Sequence, residues 1–216
     1  MGRNSQKEGL TMAKKRAIKP AMVKWLDEEL ASNGLAQHAI KTKNPRVLLV
    51  EAAKVCVGIR EATNRNDGPM VELIQSTVGG ANREAWCLSF VQTMVAYVEL
   101  RCKVVSKLGV TEHCQTLWAM TPASMRVKRM PLPGAIPIWA HYSFGKKTSN
   151  GHTGLTLGAD EKKFMAVEGN TSSGQTASGK VVREGGGVYF TERAMQGFPK
   201  ISGNASMRLL GFIIPF

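Results

Sequence analysis

The sequence predicts an α+β domain in which helices come first and an antiparallel β-sheet follows. Up to Leu108 the apolar residues recur at helical spacing. After Pro131 they fall in short runs rich in β-branched and aromatic residues, separated by polar or glycine-rich turns. Because the helical and strand patterns occupy separate parts of the chain, an antiparallel sheet is favoured over a parallel one.

Three helices are expected before the sheet. The first is the apolar run RVLLVEAAKVCVGI. The second begins at Pro69, because the N–H that proline lacks has no helical partner at the first position of a helix. Gly79-Gly80 ends this helix. The third is expected to begin near Glu84 and to continue to Leu108. Its buried face would be formed by Leu88, Val91, Val95 and Val98.

Residues 1–44 differ from the rest and are interpreted as a basic N-terminal extension with one short helix, AMVKWLDEELA. Turn signals at Asn33-Gly34 and Asn44-Pro45 separate this helix from a globular domain over residues 45–216. Three roles stay open for the extension: a solvated arm, a targeting segment, or a helix packed on that domain.

Composition limits the classes of partner. The chain has 216 residues, and 29 Lys and Arg against 16 Asp and Glu give a net charge of +13. Such a field attracts polyanions such as nucleic acid, anionic lipid or the phosphate-rich polymers of a bacterial envelope. No apolar run reaches the ~20 residues of a membrane span, and the basic N-terminus lacks the ~7–15-residue apolar stretch of a secretory signal.

One of the four cysteines has a context that indicates chemistry. The absence of a C-x-x-C pair favours free thiols, and Cys56, Cys102 and Cys114 are interpreted as small buried hydrophobic residues. Cys87 instead stands at the expected start of the long helix. A helix N-terminus lowers a thiol pKa, and its free N–H groups can hold an oxyanion. Cys87 is therefore the candidate nucleophile.

A thiolate nucleophile needs a base and a group that orients the base. Of the four histidines, His152 stands out because it lies among small residues, GHTG, at the expected start of a strand. The other three are assigned structural or surface roles: His38, His113 and His141. In the following run, FMAVEGN, Glu168 or Asn170 is placed to accept from the imidazole N–H, as in a Cys-His-Asn arrangement.

From about Ala52 to Asn170 the chain resembles the CHAP (cysteine, histidine-dependent amidohydrolase/peptidase) domain, a branch of the papain-like NlpC/P60 group. Five motifs stand in the family order and cover a little over half of the chain. They are VGIRE with NDGPMVELIQ, EAWCLSFVQTMV around the cysteine, PLPGAIPIW, GHTGLTLG around the histidine, and FMAVEGNT.

The resemblance implies a papain-like α+β fold and hydrolysis of an amide bond in bacterial peptidoglycan, as in phage endolysins and autolysins. It implies Cys87 as nucleophile, His152 as base, and Glu168 and Asn170 as the third and fourth members. Substrate contacts are expected from Trp86 and Trp139, with core packing an equal alternative for Trp86. A monomer made in the host bacterial cytoplasm and delivered to the wall by another route is expected.

Two departures from the family pattern concern supporting contacts and metals. The turn before the first strand is PGA, where the family usually has PGD. Some members bind calcium through several aspartates before the cysteine, whereas STVGGANREAW offers only Glu84. Because hard cations need several oxygen ligands, no metal and no cofactor is expected.

Two other functions stay open. A non-catalytic, basic polyanion-binding protein of a virion or envelope would explain the charge, although no nucleic-acid motif is present. A Cys-His enzyme that cuts protein or transfers acyl groups would use the same residues. A zinc amidase is disfavoured because no histidine pair has ligand spacing. The sequence does not specify which peptidoglycan bond would be cut.

Overall fold

The structure, a computed structural model, describes residues 15–129, 131–172, 186–196, 200–202 and 204–216. Within these ranges the chain forms six α-helices followed by eight β-strands in two antiparallel sheets. The predicted α+β class is confirmed, with two sheets where one was expected.

The elements follow in chain order. The helices are α1 (Pro20–Leu30), α2 (Gly34–Thr42), α3 (Pro45–Val55), α4 (Pro69–Ser76), α5 (Cys87–Cys102) and α6 (Cys114–Met120). The strands are β1 (Arg126–Val127), β2 (Ile136–Ser143), β3 (Lys146–Thr153), β4 (Leu155–Ala159), β5 (Lys163–Thr171), β6 (Gly187–Ala194), β7 (Lys200–Ser202) and β8 (Ala205–Ile213).

Helix α5 is the centre of the main core. The four residues predicted for its buried face are all fully buried, and α5 packs against α3, α4 and β5. The helix is shorter than expected at both ends. It begins at Cys87, three residues after Glu84, and it ends where Lys103 adopts a left-handed conformation with φ of 55°. Cys87 therefore occupies the first helical position.

The N-terminal segment is built into the same core. Its described part, residues 15–44, contains two helices where one was expected, because Asn33 caps α2 by accepting from the N–H of Ala36 at 3.0 Å. Apolar residues of both helices join the core cluster around α5: Met22, Leu26, Leu30, Ala36 and Ala39. Of the three roles left open, packing on the rest of the chain is the one that this arrangement favours.

Polar contacts also join this segment to α5. Tyr97 donates to Asp27 Oδ1 at 2.9 Å, and the Arg101 guanidinium pairs with the same carboxylate. Arg16 donates to Gln92 Oε1 at 2.5 Å and to Glu99 at 3.1 Å. Residues from Arg16 onward are thus held to the helix that begins with the candidate nucleophile.

Leu26→Ala is expected to destabilise the protein by about 2–5 kcal/mol, since it leaves a cavity beside α5. Leu35→Ala on the neighbouring helix is the matched control, because Leu35 is 62% exposed and should change stability by less than about 0.5 kcal/mol. Urea unfolding measures both values. Equal stability of the two variants would mean that α1 is an arm outside the core.

The two sheets meet where the chain passes from β3 to β4. One sheet has the order β1-β8-β2-β3, with β7 paired to β8, and the other has the order β4-β5-β6. His152 was expected at a strand start, but it lies near the end of β3, where it pairs with Trp139. Three residues after His152, Leu155 opens β4 and pairs with Val167 of β5. This crossing brings His152 beside Glu168.

None of the helices in the described ranges has the length and apolar character that crossing a bilayer requires.

Candidate active site

The position of the candidate nucleophile, Cys87, depends on the contacts of the residue before it, Trp86. Trp86 is the N-terminal cap residue of α5, and its indole Nε1–H donates to Glu61 Oε1 at 2.9 Å. Glu61 is 7% exposed and also accepts from the N–H of Asn66 at 3.0 Å. These buried bonds set where α5 begins. They place the Cys87 sulfur at the positive end of the helix dipole.

Strand β5 approaches this end of α5 closely, and a glycine makes the approach possible. A Cβ atom on Gly169 would lie 2.8 Å from the Cβ of Phe90 and 2.8 Å from the ring of Trp86. No larger residue fits there without separating the helix from the strand. Gly169 therefore lets the strand that carries Glu168 pack against the start of α5.

His152 interacts with both Glu168 and Cys87. Its Nε2 lies 2.8 Å from Glu168 Oε2. The imidazole and the Cys87 thiol shift each other's pKa, so these two groups also lie beside each other. Because Glu168 occupies Nε2, Nδ1 is the nitrogen left for the sulfur. The side chain of His152 is 12% exposed and that of Glu168 is fully buried. The structure thus joins three of the four predicted catalytic residues in the order Cys87, His152, Glu168.

Glu168 is a buried carboxylate with several partners. Arg193 Nε donates to Oε1 at 2.8 Å and a second guanidinium nitrogen bonds Oε2, while Thr191 Oγ1 donates to Oε1 at 2.8 Å. A buried charge is stable only when it is paired and hydrogen-bonded in this way. Burial alone would raise the pKa of Glu168, but Arg193 and His152 outweigh it and hold that pKa at about 2.

The same contacts shift the two reacting groups toward their charged forms. A hydrogen bond from Cys114 and the neighbouring His152 lower the pKa of Cys87 well below its usual range, against the opposing effect of burial. Burial would lower the pKa of His152, but Glu168 and Cys87 outweigh it and raise that pKa to about 9. Both shifts favour the thiolate–imidazolium form of the pair.

The remaining predicted site residues lie around this centre. Asn170 is half-buried near the end of β5 in a left-handed conformation, with φ of 52°. Trp86 and Trp139, expected to contact substrate, are instead in the core at 0% and 2% exposure. Trp139 packs between the rings of His152 and Phe164, with centroids 5.7 and 5.8 Å away. Both tryptophans therefore support the site by packing in the core.

Sequence reasoning missed four residues that contact the site: Glu61, Cys114, Thr191 and Arg193. Arg193 and Thr191 carry a weak signal, since they are two apart on β6 and so share a face of the sheet. A buried glutamate needs a cation, and β6 pairs with the strand that carries Glu168. Cys114 had been interpreted as a buried hydrophobic residue. It is buried, but its sulfur lies 3.8 Å from that of Cys87.

Among the described residues there is no cluster of three or more His, Cys, Asp or Glu side chains that could hold a metal ion. Glu84, the one acid before the cysteine, accepts a hydrogen bond from the N–H of Ala81 at 2.9 Å.

No family model, curated protein or solved structure matches this chain. The function must therefore be argued from the site itself and from the motifs of the sequence.

Proposed function

We propose that this protein is a cysteine-dependent hydrolase of the CHAP type, with a papain-like fold, that cleaves an amide bond of bacterial peptidoglycan. One observation carries the proposal: His152 is hydrogen-bonded to the buried carboxylate of Glu168 and interacts with the Cys87 thiol beside it. This is the arrangement in which a nucleophile has its base beside it and a third group fixes the tautomer of the base.

In the proposed reaction the Cys87 thiolate attacks the amide carbonyl carbon. The Leu88 N–H helps to lower the pKa of the Cys87 sulfur, so the N–H of Cys87 itself is the donor we assign to the developing oxyanion. The His152 imidazolium then gives its proton to the leaving amine. The resulting thioester is hydrolysed by water, which neutral His152 deprotonates. Throughout, Glu168 holds the ring and stabilises its positive charge.

Peptidoglycan is proposed as the substrate on two grounds. The five motifs around the site stand in the CHAP order, and the net charge of +13 favours encounter with the anionic polymers of a bacterial envelope. Neither ground specifies the bond, so both N-acetylmuramoyl-L-alanine amidase and endopeptidase activity belong to the proposal.

Mass spectrometry of purified peptidoglycan after digestion tests this function. The wild-type protein should release fragments with new amine and carboxyl termini, and their masses identify the bond. A Cys87→Ala protein should release none. Binding to the sacculus without new termini would support the alternative of a non-catalytic polyanion-binding protein.

Glu168→Gln should move the alkaline limb of the pH–activity profile toward lower pH. The imidazolium is the proton donor, so wild-type activity should fall as pH rises through about 9, where His152 loses its proton. Removing the carboxylate charge removes a contribution that raises this pKa. The profile of kcat/KM against pH measures the limb.

Glu192→Gln is the control for that experiment, because Glu192 is an exposed acid on β6 that pairs with Lys163. Its profile should match that of the wild type. A wild-type profile whose alkaline limb already falls near pH 6.5 would contradict the role of Glu168. So would an alkaline limb that Glu168→Gln leaves at the same pH.

A further inference from the structure

Cys114 supplies a second thiol beside Cys87, and this thiol forms no bond in the steps of the proposed hydrolysis. The Cys87 and Cys114 sulfur atoms lie 3.8 Å apart, and both residues are free cysteines. They come from different helices, α5 and α6, and they are 6% and 5% exposed. The pairing is therefore a product of the tertiary fold and lies at the base of the site.

Cys114 is held in place by close packing against the strand that carries His152. A Cβ atom on Gly151 of β3 would lie 3.0 Å from the Cys114 Cβ and 2.5 Å from the Trp139 carbonyl oxygen. The neighbouring Gln115 donates from Nε2 to the carbonyl oxygen of Thr148, also in β3, at 2.7 Å. The start of α6 is thus tied to β3, and Cys114 stays within reach of Cys87.

We propose that Cys87 and Cys114 form a hydroperoxide-sensitive dithiol, in which Cys87 is oxidised first and Cys114 resolves it as a disulfide. A bonded sulfur pair is about 2.05 Å apart, so the two atoms must approach by roughly 1.8 Å. In the proposed step, rotation of the two side chains supplies this distance.

The chemistry balances with a hydroperoxide as the oxidant. The Cys87 thiolate attacks the O–O bond, which breaks and leaves a sulfenic acid on Cys87 and one equivalent of hydroxide or alkoxide. Cys114 then attacks the sulfenic sulfur and expels hydroxide, which takes up the Cys114 proton as water. With hydrogen peroxide, two thiols and one peroxide give one disulfide and two waters.

The ionisation of the two thiols suits these unequal roles. The pKa of Cys87 is lowered, mainly by its bond with Cys114, whereas the pKa of Cys114 is raised by that same contact and by burial. The thiolate is the form that reacts with peroxide, so oxidation begins at Cys87. The disulfide then protects Cys87 from further, irreversible oxidation. It also removes the nucleophilic thiolate until a thiol reductant restores it.

The loss of hydrolytic activity on disulfide formation rests on the proposed function, but the oxidation of Cys87 and Cys114 to a disulfide does not. Full-length protein is treated with hydrogen peroxide, and the cysteines are mapped by mass spectrometry. The wild type should lose the mass of two hydrogens and yield a linked Cys87–Cys114 peptide that dithiothreitol separates. Cys114→Ala and Cys114→Ser should instead add two or three oxygens at Cys87, which dithiothreitol does not remove.

Cys102→Ala, which removes a buried cysteine outside the site, is the control and should form the disulfide like the wild type. The proposal is overturned if wild-type Cys87 gains oxygens as readily as in the Cys114 variants, or if no linked peptide forms. Formation of the linked peptide in a protein without wall hydrolysis would uphold the dithiol and reject the hydrolase.

Discussion

Replacement of Cys87 by alanine is expected to lower the rate of peptidoglycan hydrolysis on the order of 10⁶-fold, because catalytic groups that act as a unit are lost together. The fold should survive. Cys87 occupies the first position of α5, and the buried hydrogen bond from the preceding Trp86 to Glu61 does not involve the Cys87 side chain. Release of soluble wall fragments measures the rate, and thermal melting followed by circular dichroism measures the fold.

Cys102→Ala is the matched control for this variant, since Cys102 is buried at the other end of the same helix. It should keep most of the activity of the wild type. Retention of even a tenth of the activity in Cys87→Ala would show that another group is the nucleophile.

His152→Ala is expected to cause a loss of similar size, because it removes the base and also the cation that stabilises the thiolate. The same wall-fragment assay measures the loss. His38→Ala is the mild control, since His38 is an exposed residue of α2.

His141→Ala tests whether the correct histidine has been chosen. His141 is half-buried, and among the described residues its buried Nε2 has no hydrogen-bond partner. Burial and the nearby His152 lower the pKa of His141, which favours its neutral form. We expect activity to persist in this variant. Inactivation of His141→Ala together with an active His152→Ala would mean that the base was assigned wrongly.

Much of the site could be predicted because its residues stand at informative places in the sequence. Cys87 follows a glycine break and opens an apolar helical pattern, and His152 lies among small residues. Glu168 stands on a strand with clear alternation. Each of these signals is local, and the structure brings the three residues together.

The parts that were missed depend on contacts between distant segments. Strand β3 was not predicted because it is an edge strand whose residues, KKTSNGHT, are mostly polar and exposed. Helix α2 was missed because the residues that it buries, Ala36 and Ala39, are small and give a weak apolar signal. Cys114 meets Cys87 only through the packing of α6 on β3, which no local pattern reveals.

The central claim is that Cys87 is a thiolate held by His152, and the pH dependence of its alkylation tests this most directly. Full-length protein is treated with iodoacetamide from pH 5 to pH 10, and each cysteine is quantified by peptide mapping.

Burial raises the pKa of Cys56 and of Cys102, and Cys87 and burial raise that of Cys114, so these three should react slowly. Cys87 should react readily at pH 6, and His152→Ala should shift its profile to higher pH. A Cys87 profile with a midpoint at or above that of an ordinary thiol, about 8.5, and unchanged in His152→Ala, would contradict the account.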